Sequence, residues 1–125
     1  MTSMREDLTK DLMVSAQGGA GYWADVTFPE GVDGEYRPVG SVSISDFDPE
    51  GIGNDKTATF TAEEYAAVID DFAKNAANRL GGLSDYHNRF CENWLGGDYD
   101  VADYDHGTAD LIAQWALFDG KIIYG

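Results

Sequence analysis

Residues 56–80 read KTATFTAEEYAAVIDDFAKNAANRL, and the fold turns on this stretch. Lys56 to Phe60 reads as a short strand. Thr61 with Glu64 three positions on is the signature of a capping box, in which hydroxyl and carboxylate each satisfy an orphan amide at a helix start. From there Tyr65, Val68, Ile69, Phe72, Ala76 and Leu80 trace one helical face.

Upstream, Val39 to Ser45 predicts a strand with Val42 and Ile44 on one face and Ser41, Ser43 and Ser45 on the other. Tyr22 to Phe28 predicts another, with Tyr22, Ala24, Val26 and Phe28 alternating against Trp23, Asp25 and Thr27. The Gly-rich, charged segment from Pro29 to Pro38 turns the chain between them. Before these, Leu8, Leu12 and Ala16 repeat every fourth residue, which predicts a helix over Met4 to Gln17 with a narrow apolar stripe.

Downstream, Ser84 caps a shorter helix in which Tyr86, Phe90 and Trp94 recur every four residues. An acidic loop from Asp98 to Asp105 leads to a last helix with Leu111, Ile112, Trp115 and Phe118 inward. Asp119-Gly120 then turns the chain into a closing strand, Lys121 to Tyr124, expected to lie beside an earlier one. Gly18-Gly19, Gly81-Gly82 and Gly96-Gly97 each follow a stretch with helical spacing, where glycine commonly closes a helix. The expectation is a single α+β domain over residues 1–125 in the order α-β-β-β-α-α-α-β. Its mainly antiparallel sheet of about four strands carries helices on one face. A homodimer paired through an exposed sheet edge is compatible with this topology.

Charge is the unusual feature. Sixteen Asp and seven Glu face four Lys and four Arg, for a net charge of −15. Self-repulsion of that size opposes compaction, slows approach to nucleic acid or anionic lipid, and speeds approach to a basic surface. The carboxylates are densest in two runs. Asp46, Asp48 and Glu50 alternate around Phe47 and Pro49, and Asp98, Asp100, Asp103, Asp105 and Asp110 follow one another with no lysine or arginine between them. In extended chain, carboxylates two residues apart lie roughly 6.6 Å from one another on one side. That is similar to the phosphate spacing along a DNA strand, and duplex DNA carries about one charge per 1.7 Å of axis. Tyr99 and Tyr104 sit inside the second run, and tyrosine suits contact with a basic, partly apolar protein surface.

The candidate chemistry is thin. Read as a calcium loop from Asp103, the chain has Gly107 at position 5, Thr108 at position 6 and Gln114 at position 12, so the EF-hand pattern fails and leaves a looser, weak cation site in the Asp98–Asp105 run as the alternative. His87 and Cys91 are four apart on a predicted helix, acceptable for two zinc ligands but short of the four a structural site needs. Cys91 beside Phe90 reads as core. Asp70-Asp71 and Glu63-Glu64 point about 100° apart on a helix and do not converge on a substrate; solvated helix surface explains them better. The Gly18–Gly21 run lacks the Lys-Ser/Thr of a phosphate loop. No metal ligand set, cofactor or catalytic residue is expected. The lone Cys91, and an N-terminus without an apolar stretch, favour the cytoplasm.

Gly18-Gly19-Ala20-Gly21-Tyr22-Trp23 and the closing Ala116-Leu117-Phe118-Asp119-Gly120-Lys121-Ile122-Ile123-Tyr124-Gly125 resemble the two ends of a group of small uncharacterised proteins of actinobacteria and their bacteriophages. The resemblance implies a mobile-element setting and supplies no catalytic residue. In composition and charge alone the chain also resembles DNA-mimic inhibitors, the phage-type proteins that block restriction or CRISPR enzymes. The expected function is therefore binding to a basic, nucleic-acid-processing defence protein, without direct contact to nucleic acid or membrane. Asp46, Asp48, Glu50, Asp98, Asp100, Asp103 and Asp105 would supply the charge, with Tyr99 and Tyr104 adding apolar contact. The alternative expectation is a small-molecule or cation-binding protein whose acidity serves solubility or salt adaptation, with a pocket framed by the Gly18–Trp23 turn and the closing strand.

Overall fold

At Thr61 the strand-to-helix switch takes the expected form. Glu64 N–H donates to Thr61 Oγ1 at 3.1 Å and Thr61 N–H to Glu64 Oε1 at 2.9 Å, closing the capping box. The structure is a computed structural model describing residues 3–47 and 55–125; Asp48 and Glu50 lie outside the described residues. Along the chain run α1 (Met4–Gly19), β1 (Ala24–Thr27), β2 (Ser41–Asp46), β3 (Thr57–Thr61), α2 (Ala62–Arg79), α3 (Asp85–Leu95), a 3-10 turn (Tyr99–Val101) and α4 (His106–Leu117).

The three strands form one antiparallel sheet in the order β1-β2-β3. Val26, Val42 and Ile44 point into the core, while Asp25, Thr27, Ser43, Ser45, Thr57 and Thr59 form an exposed or half-exposed outer face. Alternation in β2 thus follows the pleat. The core is built from Trp23, Trp94, Trp115, Tyr65, Phe72 and Phe90, all nearly or fully buried. On α2, Tyr65, Ile69, Phe72 and Ala76 face it, and Leu80 falls beyond the helix end and is exposed.

Two expectations about the strands are corrected. The closing segment is not a fourth strand. Its polar backbone is satisfied instead by one buried side chain: Ile123 and Tyr124 N–H both donate to Gln114 Oε1 at 2.8 Å, and Gln114 Nε2 donates to the Tyr124 carbonyl at 3.0 Å. An amide side chain here replaces the neighbour a strand would need. The phase before β1 is also reversed. Trp23 N–H and Ala24 N–H both donate to the Ala20 carbonyl, so the chain is still turning at Trp23 and strand alternation does not apply. Trp23 is 1% exposed and Tyr22 56%.

The acidic residues of the helices prove partly structural. Each of the three tryptophans donates its indole N–H to an aspartate: Trp23 to Asp110 at 2.7 Å, Trp94 to Asp70 at 2.8 Å and Trp115 to Asp71 at 2.7 Å. Asp70 and Asp71 point to different sides of α2, as adjacent helical residues must, and each therefore holds a different ring. They are half-buried anchors, not solvated surface. Arg5 stacks over Trp94 and Arg79 over Trp115, each 5.0 Å from the ring centroid. At the junction of α1 with α4, a Cβ on Gly19 would collide with the His106 carbonyl, so this close approach requires glycine.

Candidate functional site

The acidic connection between α3 and α4 is positioned from both sides. Gly97 takes a left-handed backbone, φ 77°, which ends α3. Gly97 N–H donates to the Trp94 carbonyl at 3.2 Å and Asp98 N–H to the Asn93 carbonyl at 2.8 Å, satisfying the last carbonyls of the helix. Asn93 Nδ2 donates to the Val101 carbonyl at 3.3 Å, and Asp103 N–H to the same residue's carbonyl at 3.0 Å. These bonds fix where the side chains of the loop leave the backbone.

The carboxylates of Asp98, Asp100 and Asp103 are exposed and form no hydrogen bond or ion pair with any described residue. Asp105 has a different task. Its Oδ1 accepts from Thr108 N–H at 2.8 Å and from Thr108 Oγ1 at 3.1 Å, capping α4. The Thr108 amide, foremost, holds the Asp105 carboxyl below the usual carboxylate range.

The tyrosines of the run turn inward. Tyr99 is half-buried with its edge on Trp94, ring centroids 5.2 Å apart, and Tyr104 is half-buried against the core. The ring that stands exposed beside the carboxylates is Tyr86, at the start of α3. Desolvation pushes its phenol up, and Asp105, Asp103 and Tyr104 add to the shift. Sequence reading placed Tyr86 on the apolar face of α3 and missed this role. Its position in the first turn, where the stripe runs off the core, was the available signal.

Asp46 does not belong to an acidic surface. It is 6% exposed and accepts Tyr124 O–H on Oδ2 at 2.8 Å, whereas Phe47 is 42% exposed. The two residues thus stand opposite to the expected arrangement, because β2 continues through Asp46 and its alternation puts Val42, Ile44 and Asp46 on the inner face. The space expected to form a pocket behind the Gly18–Trp23 turn is filled by aromatic rings. Trp23 stacks on Tyr124 at 5.2 Å and lies 5.3 Å from Phe118.

His87 directs Nδ1 to Thr108 Oγ1 at 3.0 Å. Cys91 is buried, and desolvation pushes its thiol up to about 11. Among the described residues no group of three or more His, Cys, Asp or Glu could hold a metal ion, and no helix is long and apolar enough to cross a membrane. No family model, curated protein or solved structure matches the chain. What the fold defines is a small α+β protein with a three-stranded antiparallel sheet and four helices.

Proposed function

We propose that this chain is an acidic inhibitor of phage type, which binds a nucleic-acid-processing defence protein of restriction or CRISPR type and offers carboxylates where that protein expects phosphates. It acts by occupation and carries out no reaction of its own. The observation that carries the reading is the set of three exposed carboxylates, Asp98, Asp100 and Asp103, without partners among the described residues and held on a pinned turn. A net charge of −15 adds long-range attraction toward a basic channel. Tyr86 offers an aromatic surface at the edge of the patch.

The reading is tested by a pull-down from host lysate at low salt, with and without excess duplex DNA, using the wild type and a variant with Asp98, Asp100 and Asp103 all changed to Lys. The expected result is a nuclease or other nucleic-acid enzyme that DNA displaces and the triple variant fails to hold. Binding should also weaken as salt shortens the screening length, which is about 8 Å at physiological ionic strength. Retention of the same enzyme by a folded triple variant would sink the proposal.

A further inference from the structure

The sheet ends on β3, whose outer edge pairs with no described residue. Asp46 N–H donates to the Lys56 carbonyl at 2.8 Å. With that pair setting the phase, the antiparallel ladder closes through Ala58 and Phe60, opposite Ile44 and Val42. The amides and carbonyls of Thr57 and Thr59 then point away from β2, and no described residue bonds to these four groups. The Thr61 amide on the same side is taken by Glu64. Strand β3 has no charge, proline or bulge, the devices that usually blunt an edge.

Beside this edge the helical layer leaves a groove of about 420 Å³, running from Phe60 on β3 to Val68 on α2 and Trp115 on α4, with Asp71, Arg79 and Asp119 also in its lining. Ala58 and Phe60 are only half-buried, although their side chains face the helices. The inner face of the sheet is thus one strand narrower than the layer it packs on.

We infer that the β3 edge and this groove form a docking site for an extended segment of a partner protein, which adds as a fourth strand. Its backbone pairs with Thr57 and Thr59, and every second side chain enters the groove over Phe60 and Val68, beside the Arg79 guanidinium that covers Trp115. Those side chains are apolar. The residues between them are basic, complementing a chain of net charge −15. The same charge opposes pairing with a second copy, since two such chains repel one another. This site is separate from the Asp98–Asp103 patch and stands without it.

The test uses the full chain and a short peptide alternating valine and lysine, with amide hydrogen exchange followed by NMR. In the free protein the Thr57 and Thr59 amides should exchange freely while those of Ala58 and Phe60 are protected. The peptide should slow Thr57 and Thr59 by about tenfold or more. The same peptide N-methylated at every second residue, which cannot pair, should leave them unchanged. Thr59→Pro removes an outward amide at an edge position, and should abolish the effect at Thr57 without altering the melt. If that variant does not fold, Val68→Glu, which places a charge in the groove, should weaken peptide binding likewise. Protection of Thr57 and Thr59 in the dilute free chain, or protection that rises with protein concentration alone, would overturn the inference. So would undiminished peptide binding by Val68→Glu.

Discussion

Asp70 and Trp94 are joined by a 2.8 Å hydrogen bond from the indole Nε1 to Oδ1, and the same oxygen receives Arg5 Nη1 at 2.9 Å. Arg5 also donates to Asp70 Oδ2 at 2.8 Å and lies over the Trp94 ring. One carboxylate thus fixes α1, α2 and α3 to one another, and removing it strands both a cation and a buried donor. With Arg5 and Asp70 each about a third exposed, solvent screens part of the interaction. Asp70→Ala should therefore cost about 2 kcal/mol in urea unfolding, and Arg5→Ala less, since Trp94 keeps its acceptor. Equal costs would mean that the indole bond contributes nothing.

Acid should act through the same groups. Asp70 is held below the usual carboxylate range, first by the Arg5 hydrogen bonds and then by Trp94, and Asp105 chiefly by the Thr108 amide. A carboxyl whose folded value is depressed contributes stability above its unfolded value, about 4, and loses it as pH falls through the folded value. Stability should decline below about pH 4, and the double variant Asp70→Asn/Asp105→Asn should show a shallower decline. An unchanged slope would assign acid unfolding to other groups.

Gln114 is fully buried and serves four bonds, two received from the Ile123 and Tyr124 amides and two given, to the Tyr124 carbonyl and Asp110. Gln114→Ala should destabilise the chain by about 2–3 kcal/mol. It should also free the amides of Ile123 and Tyr124 to exchange and change tryptophan emission as Tyr124 leaves Trp23. Gln114→Glu should not rescue, because it loses the donor and sets a second carboxylate against Asp110. Normal protection of Ile123 and Tyr124 in either variant would show the tail is held by its rings alone.

Gly19→Ala should be among the costliest single-methyl changes in the molecule, about 2–4 kcal/mol, since the obstacle is the backbone of α4 at His106. By contrast, Gly34→Ala meets nothing within 4 Å and should be near neutral. Thermal melts of the two variants make the comparison, and similar melting temperatures would refute the close packing of α1 on α4.

What the sequence made legible was local. The capping box at Thr61, the cap at Ser84, the face of α2 and the alternation of β2 each depend on residues a few positions apart. The C-terminal segment was misread because its partner is a side chain, Gln114, whose role periodicity does not reveal. The aspartates that hold Trp23, Trp94 and Trp115 lie 87, 24 and 44 residues away in sequence, beyond the reach of any window. Asp46 was different. Extending the β2 alternation by two residues past Ile44 would have turned it inward, but its neighbours in an acidic run drew it outward. Of the expected patch, Asp98, Asp100 and Asp103 are exposed, Asp105 caps a helix, and Tyr86 replaces Tyr99 and Tyr104 as the exposed ring.

Cys91, buried on α3 with its thiol held protonated near neutral pH, gives the molecule a built-in clock. A thiol reagent can reach it only when α3 lifts from the core, so the rate of labelling measures how often that happens. As the only cysteine in the chain, it reports without background. Whatever binds beside α3 and slows that opening will register as a delay in the labelling of a single sulfur.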